Sequence, residues 1–206
     1  MTRAEKLQAI HEKWFLDCNC ELKKTAKRPV PGAGNPSAEI VFIGEAPGKK
    51  EDEEGRPFLG SAGKFLDEML ESIKMKRESI YITNIVKYRP PNNRDPLPEE
   101  KDACRVWLHA ELNFIKPKLI VFLGRHSMND FFPDLKISDT HGKLIQKKIP
   151  GINAKYFLPL YHPAAALYKG SMRETLIKDF KKIPLILSKI SRKTVAVKRT
   201  KKDQID

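Results

Sequence analysis

Apolar positions along the chain fall into two alternating kinds of block. The first is short and almost continuously apolar: residues 39–43, 79–86, 119–123 and 154–160. Runs of that length, rich in β-branched and aromatic residues, predict strands buried on both faces. The second kind repeats its apolar residues at intervals of three and four, the period of a helix with one buried stripe. Residues 1–17 put Ala4, Leu7, Ile10, Trp14 and Phe15 roughly on one face, and residues 61–74 do so with Phe65, Leu66, Met69, Leu70 and Ile73. Ser61 is placed to cap the latter helix. A third helix opens on Pro98-Glu99-Glu100, proline and acids in the first turn as the helix dipole prefers, and runs to about Ile115. A short helix is expected over 125–132 and a last one over 173–187. Pro159 marks the fourth strand as an edge, since it has no N–H for a ladder. Strands alternating with helices predict an α/β domain with a parallel sheet covered on both faces.

Loops punctuate this pattern at 23–37, 44–60 and 89–98, all rich in Pro or Gly. From Ser188 the chain turns polar and basic, so a single domain over 1–187 and a flexible basic tail over 188–206 are expected. Net charge is +13 and the pI about 9.6. An excess of that size points to a polyanionic partner, nucleic acid before an anionic membrane. Three cysteines, an odd number, give no secreted disulfide framework. The apolar runs are strand-sized and the N-terminus carries mixed charge, so neither a membrane span nor a secretion signal is expected. Cytoplasmic localisation with nucleoid association follows. Cys18-Asn19-Cys20 is a C-x-C pair, unlike the usual metal knuckle.

In a parallel sheet the carboxyl ends of the strands share one rim, where open α/β sheets bind ligands. The residues there are Glu45 after the first strand, Asn84 ending the second, Gly124-Arg125-His126 after the third and His162 after the fourth. The loop after the first strand adds Glu51 and Phe58. Singly, each has a plain structural reading: Asn as a turn residue, His as a satisfied core group, Phe as core. Together they fit a flat polar ligand. Phe58 offers a stacking face, and Asn84 one donor and one acceptor for an amide edge such as N3–H and O4 of a pyrimidine. His162 can donate to an oxygen that becomes negative, and Glu45 can hold a water. Cutting a base from its sugar needs this equipment, because both the departing base and the sugar develop charge. A base inside a duplex must first be flipped out.

The ordered motifs Gly44-Glu45-Ala46-Pro47-Gly48, Gly55-Arg56-Pro57-Phe58-Leu59-Gly60, Tyr81-Ile82-Thr83-Asn84, Arg89-Pro90-Pro91 and His162-Pro163-Ala164 carry a resemblance over roughly residues 17–187. The chain resembles the family-four, iron–sulfur type uracil-DNA glycosylases. The resemblance implies a three-layer α/β/α sandwich around a four-stranded parallel sheet. It implies a hydrolase of base excision repair that flips uracil from DNA and leaves an abasic site, monofunctional, with a water nucleophile. In that scheme Glu45 and the backbone around Ala46 position the water, and Phe58 stacks on uracil. Asn84 reads its edge, His162 stabilises the departing base at O2, and Glu51 rejects thymine at its methyl. Ala166 or Leu167 enters the gap left by the flipped base. Lys169 and Arg173 hold phosphates, and Arg89, Asn93 and Arg94 serve DNA from the Pro-rich loop. A monomer with uracil-containing DNA as partner is implied. Alternatives are a non-catalytic module for damaged or single-stranded DNA, and a glycosylase for hypoxanthine or xanthine.

The family's [4Fe-4S] cluster takes four Cys ligands, and the corresponding positions here are Asp17, Cys20, Tyr88 and Cys104, with Cys18 one residue out of register. The ligand set is incomplete, so no cofactor is expected; the alternative is a cluster on Cys18, Cys20 and Cys104 with a non-Cys fourth ligand, and zinc meets the same shortage. A basic insertion with a reactive His, which marks a covalent uracil-binding subgroup, is absent: Pro98-Glu99-Glu100 follows the Pro-rich loop and the next His is His109. Turnover is therefore expected, without a Lys Schiff base, since Lys49, Lys50 and Lys87 show no apolar pocket around them in the sequence. His141 reads as a neutral surface residue.

Overall fold

The computed structural model describes residues 1–202, with side chains described through Arg192. Six strands among the described residues form one sheet: β1 (Ala33–Gly34), β2 (Ile40–Gly44), β3 (Tyr81–Asn84), β4 (Leu119–Leu123), β5 (Ile145–Gln146) and β6 (Tyr156–Leu160). Their order is β1-β3-β2-β4-β6-β5. The expected four parallel strands are the centre, with β2 flanked by β3 and β4, and β4 pairing on to β6. Two-residue antiparallel ribbons, β1 on β3 and β5 on β6, complete the two edges. Two residues are too few to carry a period, so the hydrophobic pattern could not announce them.

The expectation that β6 is an edge needs correcting, since β5 lies beyond it. Pro159 is tolerated for a local reason. It stands in register with Phe122, while β5 reaches only Tyr156 and Phe157. No antiparallel partner asks for the missing N–H there, and the Pro159 carbonyl accepts the Gly142 N–H at 2.8 Å.

The helices are α1 (Arg3–Asp17), α2 (Lys49–Glu54), α3 (Ser61–Ser72), α4 (Pro98–Ile115), α5 (Arg125–Phe131), α6 (Ile137–Thr140), α7 (Ala165–Tyr168), α8 (Gly170–Phe180) and α9 (Ile183–Lys202). Strand residues alternate between two faces. Val41, Ile43, Tyr81, Ile120 and Phe122 pack with α1, α4 and α5, while Phe42, Ile82, Val121, Leu158 and Leu160 pack with α3, α8 and α9. The result is a helix–sheet–helix sandwich with a core on each side. On α3 the buried residues are Phe65, Leu66, Met69 and Leu70, the stripe its spacing predicts. Burying each contributes about 1.5–3 kcal/mol. Ser61 is the first helical residue rather than the cap; Gly60 holds the cap position without a side-chain bond.

The stretch expected as one helix over 173–187 is two, separated at Lys181 and Lys182. Pro184 gives the reason. It lies in the first turn of α9, where its missing N–H has no partner to lose, and would break a helix interior. Residues 188–202, expected as a flexible tail, continue α9, and Ile190 is buried. The last part of that expected tail, 203–206, lies outside the described residues. Among the described residues no helix is long and apolar enough to cross a membrane.

Candidate active site

Parallel pairing delivers the carboxyl ends of β2, β3, β4 and β6 to one rim. A pocket of about 430 Å³ opens there, with Glu45, Glu51, Phe58, Asn84, Asp95 and His162 among its lining residues. Ala46, Asn93, Arg94 and Leu167 also reach it, whereas Arg89, Ala166, Lys169 and Arg173 stand outside the lining.

Asn84 ends β3 with its side chain buried, and its Oδ1 has no hydrogen-bond partner. A buried acceptor left open costs about 1–3 kcal/mol, and this one lines the pocket, where a ligand can meet it. Gly44, next to it on β2, is what makes room. A Cβ there would come within 2.4 Å of Asn84 Oδ1 and 2.7 Å of Phe58 Cζ. Gly44 stood in the recognised motif, but sequence reasoning gave it no task of its own.

Phe58 faces this corner, its ring centroid 5.8 Å from that of His162 at a 31° tilt. Its φ of 55° is in the left-handed region, which a Phe adopts only at a cost. Two contacts hold it there. Arg77 Nη2 donates to the Pro57 and Phe58 carbonyls at 2.8 and 3.0 Å. Gly63 lets α3 pass so close that a Cβ would lie 2.0 Å from Phe58 O. Neither Arg77 nor the demand on Gly63 is visible in the hydrophobic pattern. Glu51 finishes the loop: Oε1 accepts Leu59 and Gly60 N–H at 2.8 Å each, and Oε2 accepts Gly48 N–H at 3.1 Å. The carboxylate lines the pocket and at the same time ties the loop that carries Phe58.

His162 Nδ1 accepts the Ala164 backbone N–H at 3.1 Å. In the neutral ring this puts the proton on Nε2. Burial, aided by His126, lowers the His162 pKa to about 4, so the ring is neutral at pH 7 and donates rather than titrates. Glu45 moves the other way. Burial first, and then the charge of Asp95, raise it to about 7 against the pull of Lys101 and Arg125. That is where a general base for water works best.

The expected DNA contacts divide. Arg94 pairs with Glu100 through both terminal nitrogens, at 2.8 and 2.6 Å, and donates to Asp95 O at 3.0 Å, so it ties the Pro-rich loop to α4. Arg89 Nε donates to Asn93 Oδ1 at 2.8 Å. Arg173 pairs with Glu68 and covers the Phe65 ring at 4.5 Å. Ala166 packs against the α3 side of the core, while Leu167 is 51% and Tyr168 90% exposed beside the pocket. Of the two expected wedges Leu167 is the free one, and exposed Tyr168 went unnoticed in the sequence. His141 is not a free surface group: its Nδ1 lies 2.5 Å from the buried Asp179 carboxylate.

Behind the rim, on the α1–α4 side of β3, lies a second polar cluster that sequence reasoning missed. Glu111 is buried, with Oε1 bonded to Tyr81 Oη (2.9 Å), His11 Nε2 (3.0 Å) and Gly32 N–H (3.1 Å). Its Oε2 takes Thr83 Oγ1 at 3.0 Å and Lys87 Nζ at 2.5 Å. Burial alone would raise the Glu111 pKa, but Lys87 and His11 pull it below the usual carboxylate range. Lys87 is thus a buried ion-pair partner.

The thiols converge, though not as their sequence positions suggest. Cys18, Cys20 and Cys104 are all buried; Cys18 Sγ donates to Ala103 O at 3.9 Å and Cys20 Sγ to Glu100 O at 3.7 Å, both on α4 beside Cys104. Asp17 is exposed, so Cys18 takes the inward place that alignment gave to Asp17. The interaction with Cys104 is the main reason Cys18 falls to about 6. The fourth corner holds Tyr88, buried and 5.3 Å from Trp14 between ring centroids. Burial and the neighbouring thiols raise its pKa, which keeps it a neutral phenol. Three thiols and a phenol do not make the donor set of a four-thiolate cluster.

A family model described as the uracil DNA glycosylase superfamily matches residues 31–183. The chain is 49% identical over 175 residues to the type-4 uracil-DNA glycosylase of Archaeoglobus fulgidus, covering 82% of this chain and 87% of that one. It is 45% identical to that of Sulfurisphaera tokodaii, over 87% and 84% of the two chains. The enzyme of Thermotoga maritima is 38% identical, over 91% and 98%. With a family match across all six strands of the sheet and relatives this alike over nearly their full lengths, the chain belongs to the uracil DNA glycosylase superfamily and groups with its type-4 enzymes.

Proposed function

We infer that the chain is a uracil-DNA glycosylase that flips uracil into the rim pocket and hydrolyses its N-glycosidic bond. The observation that carries this reading is the open acceptor of Asn84, which shares the pocket lining with Phe58 and His162. Uracil offers N3–H to Asn84 Oδ1 and O4 to its amide NH₂. As the bond from C1′ to N1 breaks, the electron pair leaves with the base. The neutral His162 ring donates Nε2–H to the charge gathering on O2, a contact worth most in a dry, preorganised site. Water adds its oxygen to C1′ and gives its proton to the Glu45 carboxylate, leaving an abasic site. Among the described residues no lysine lines the pocket to form a Schiff base, and Lys87 is occupied by Glu111.

Glu51 excludes thymine in this scheme by fixing the loop wall with three backbone bonds, so that the wall does not yield to a methyl group. Leu167 fills the gap left by the flipped base. Lys169, Arg173, Arg89 and Asn93 meet the backbone, and Arg94 acts through the loop it anchors. The enzyme works as a monomer on nucleoid DNA, its domain extending along α9 at least to the buried Ile190, with the basic continuation of α9 adding salt-sensitive phosphate attraction. It works without an iron–sulfur cluster, Tyr88 filling that corner of the core.

One assay tests the reading. A uracil-containing oligonucleotide treated with the protein is expected to break only after alkali, and a thymine strand to stay whole. Asn84→Asp and His162→Ala are expected to lose release with modest loss of DNA binding; unchanged release by both would remove the proposed site. Release from hypoxanthine or xanthine strands in preference to uracil would move the specificity. Anaerobically purified protein is expected to lack visible cluster absorbance, and stoichiometric iron would overturn the cluster-free reading.

A further inference from the structure

The first turn of α5 puts a group beside Glu45 that the scheme above does not use. His126 Nδ1 lies 3.7 Å from Glu45 Oε1, and its Nε2 lies 3.5 Å from Asp95 Oδ2. Arg125 Nε donates to that same Nε2 at 3.0 Å. The side chain of His126 is one-quarter exposed, as is that of Glu45, while Asp95 is two-thirds exposed.

The Arg125 contact decides the tautomer. A guanidinium can only donate, so Nε2 must accept, and in the neutral ring the proton sits on Nδ1, facing Glu45. Burial, with help from Arg125 and Lys101, keeps His126 below its ordinary pKa against the pull of Asp95, which favours the neutral ring. The three ligand atoms lie within 4.8 Å of one another, a spacing that suits a cation. Arg125 already holds the ring nitrogen on the Asp95 side, however, so an incoming cation would have to displace a cation.

We propose that His126 is a positioning residue for Glu45: its Nδ1–H holds one carboxylate oxygen, leaving the other turned to the attacking water. At 3.7 Å the contact is longer than a hydrogen bond, and such contacts in free enzymes tighten when substrate closes the site. The groups facing Glu45 come from three elements: Asp95 from the Pro-rich loop, Lys101 from α4, and Arg125 and His126 from α5. Asp95 makes the carboxylate harder to ionise, and His126 opposes it by donating a hydrogen bond without carrying a charge. Asp95 thus sets how much Glu45 depends on His126. The inference rests on Glu45 being the water-holding carboxylate.

Single-turnover uracil release between pH 5.5 and 9.5 tests it with His126→Ala, His126→Asn, Asp95→Asn and Glu45→Gln. Wild type is expected to gain rate as pH rises through about 7. His126→Ala should be about tenfold slower at low pH and nearly restored at high pH, its limb displaced upward by about one unit. His126→Asn, whose amide N–H reaches the place of Nδ1, should lie between the two. Asp95→Asn should displace the limb downward. An equal loss at every pH in His126→Ala and His126→Asn, or no loss in either, overturns the role of His126. Persistence of the wild-type limb in Glu45→Gln would instead overturn the reading of Glu45, so the two failures are distinct.

Discussion

Strand β3 carries a buried polar cluster on each of its faces, and the two are built on opposite terms. On the α1–α4 side, Tyr81, Thr83, Lys87 and His11 converge on Glu111, and both carboxylate oxygens are bonded. At the rim, Asn84 is as deeply buried yet keeps Oδ1 open, next to a Phe with φ of 55°. Electrostatics follow the same division. Glu111 is held ionised by its partners, whereas Glu45 is driven toward its neutral form by burial and by Asp95. A closed cluster rigidifies the strand; an open one stores a cost that a ligand can relieve. The lesson is that burial of polar groups does not by itself mark a site. An unmet bond at a pocket does; Trp14 Nε1, also without a partner, lies in the core and lines no part of the rim pocket.

The strongest way to break this comparison is at its closed end. Glu111→Ala strands Lys87 without its counter-charge in the core, and removing one member of such a pair costs about 3–5 kcal/mol. Urea denaturation should register that loss; a change under 1 kcal/mol, about the range of exposed pairs, would mean that the network carries no structural weight. At the open end the opposite separation is expected. Asn84→Ala should lower uracil release by about 10²–10³ while leaving stability unchanged or slightly raised, since no bond is lost in the free protein. A drop in melting temperature as large as that of Glu111→Ala would erase the distinction.

Gly44→Ala sharpens the picture further. Its Cβ would press on Asn84 Oδ1 and Phe58, so release should fall at least about tenfold, with DNA binding kept. Binding and cleavage near wild-type level would show that the corner yields. The smallest effect is in stability against pH. The folded Glu45 holds its proton up to about 7, above its ordinary value, so its contribution to stability is full below the ordinary carboxylate range and declines as pH rises through 7. Glu111, lowered by its partners, contributes in the opposite sense, and its share is lost as pH falls below that range. Glu45→Gln should therefore flatten the decline between pH 5 and 7.5 by about 1 kcal/mol, read from urea midpoints. An unaltered slope would contradict the raised Glu45.

Much of the fold was legible because its signals are local. Five apolar residues in a row at 119–123 can only be a covered strand, and the stripe on α3 is written in its spacing. Misreadings came where a short-range signal was overlooked or too brief. Pro184 announces the break before α9, and β1 and β5 have two residues each. In the site, residue types and motif order brought Glu45, Phe58, Asn84 and His162 into one frame. They did not reveal Gly44 as the space-maker or Arg77 as the clamp on Phe58. Nor did they reveal that Arg94 and Arg173 are already paired.

By itself, then, the sequence determined the alternation of strands and helices and the rim at which the candidate residues gather, because each depends on residue type and spacing along the chain. Only the tertiary structure decided which polar atoms are satisfied, which nitrogen of His162 carries the proton, that Cys18 rather than Asp17 turns inward, and that Glu45 is faced by His126 and Asp95. The physical reason is that a hydrogen bond or a charge shift belongs to a pair of groups. Here the partners are as far apart in the chain as His11 and Glu111, and nothing but the folded geometry makes them neighbours.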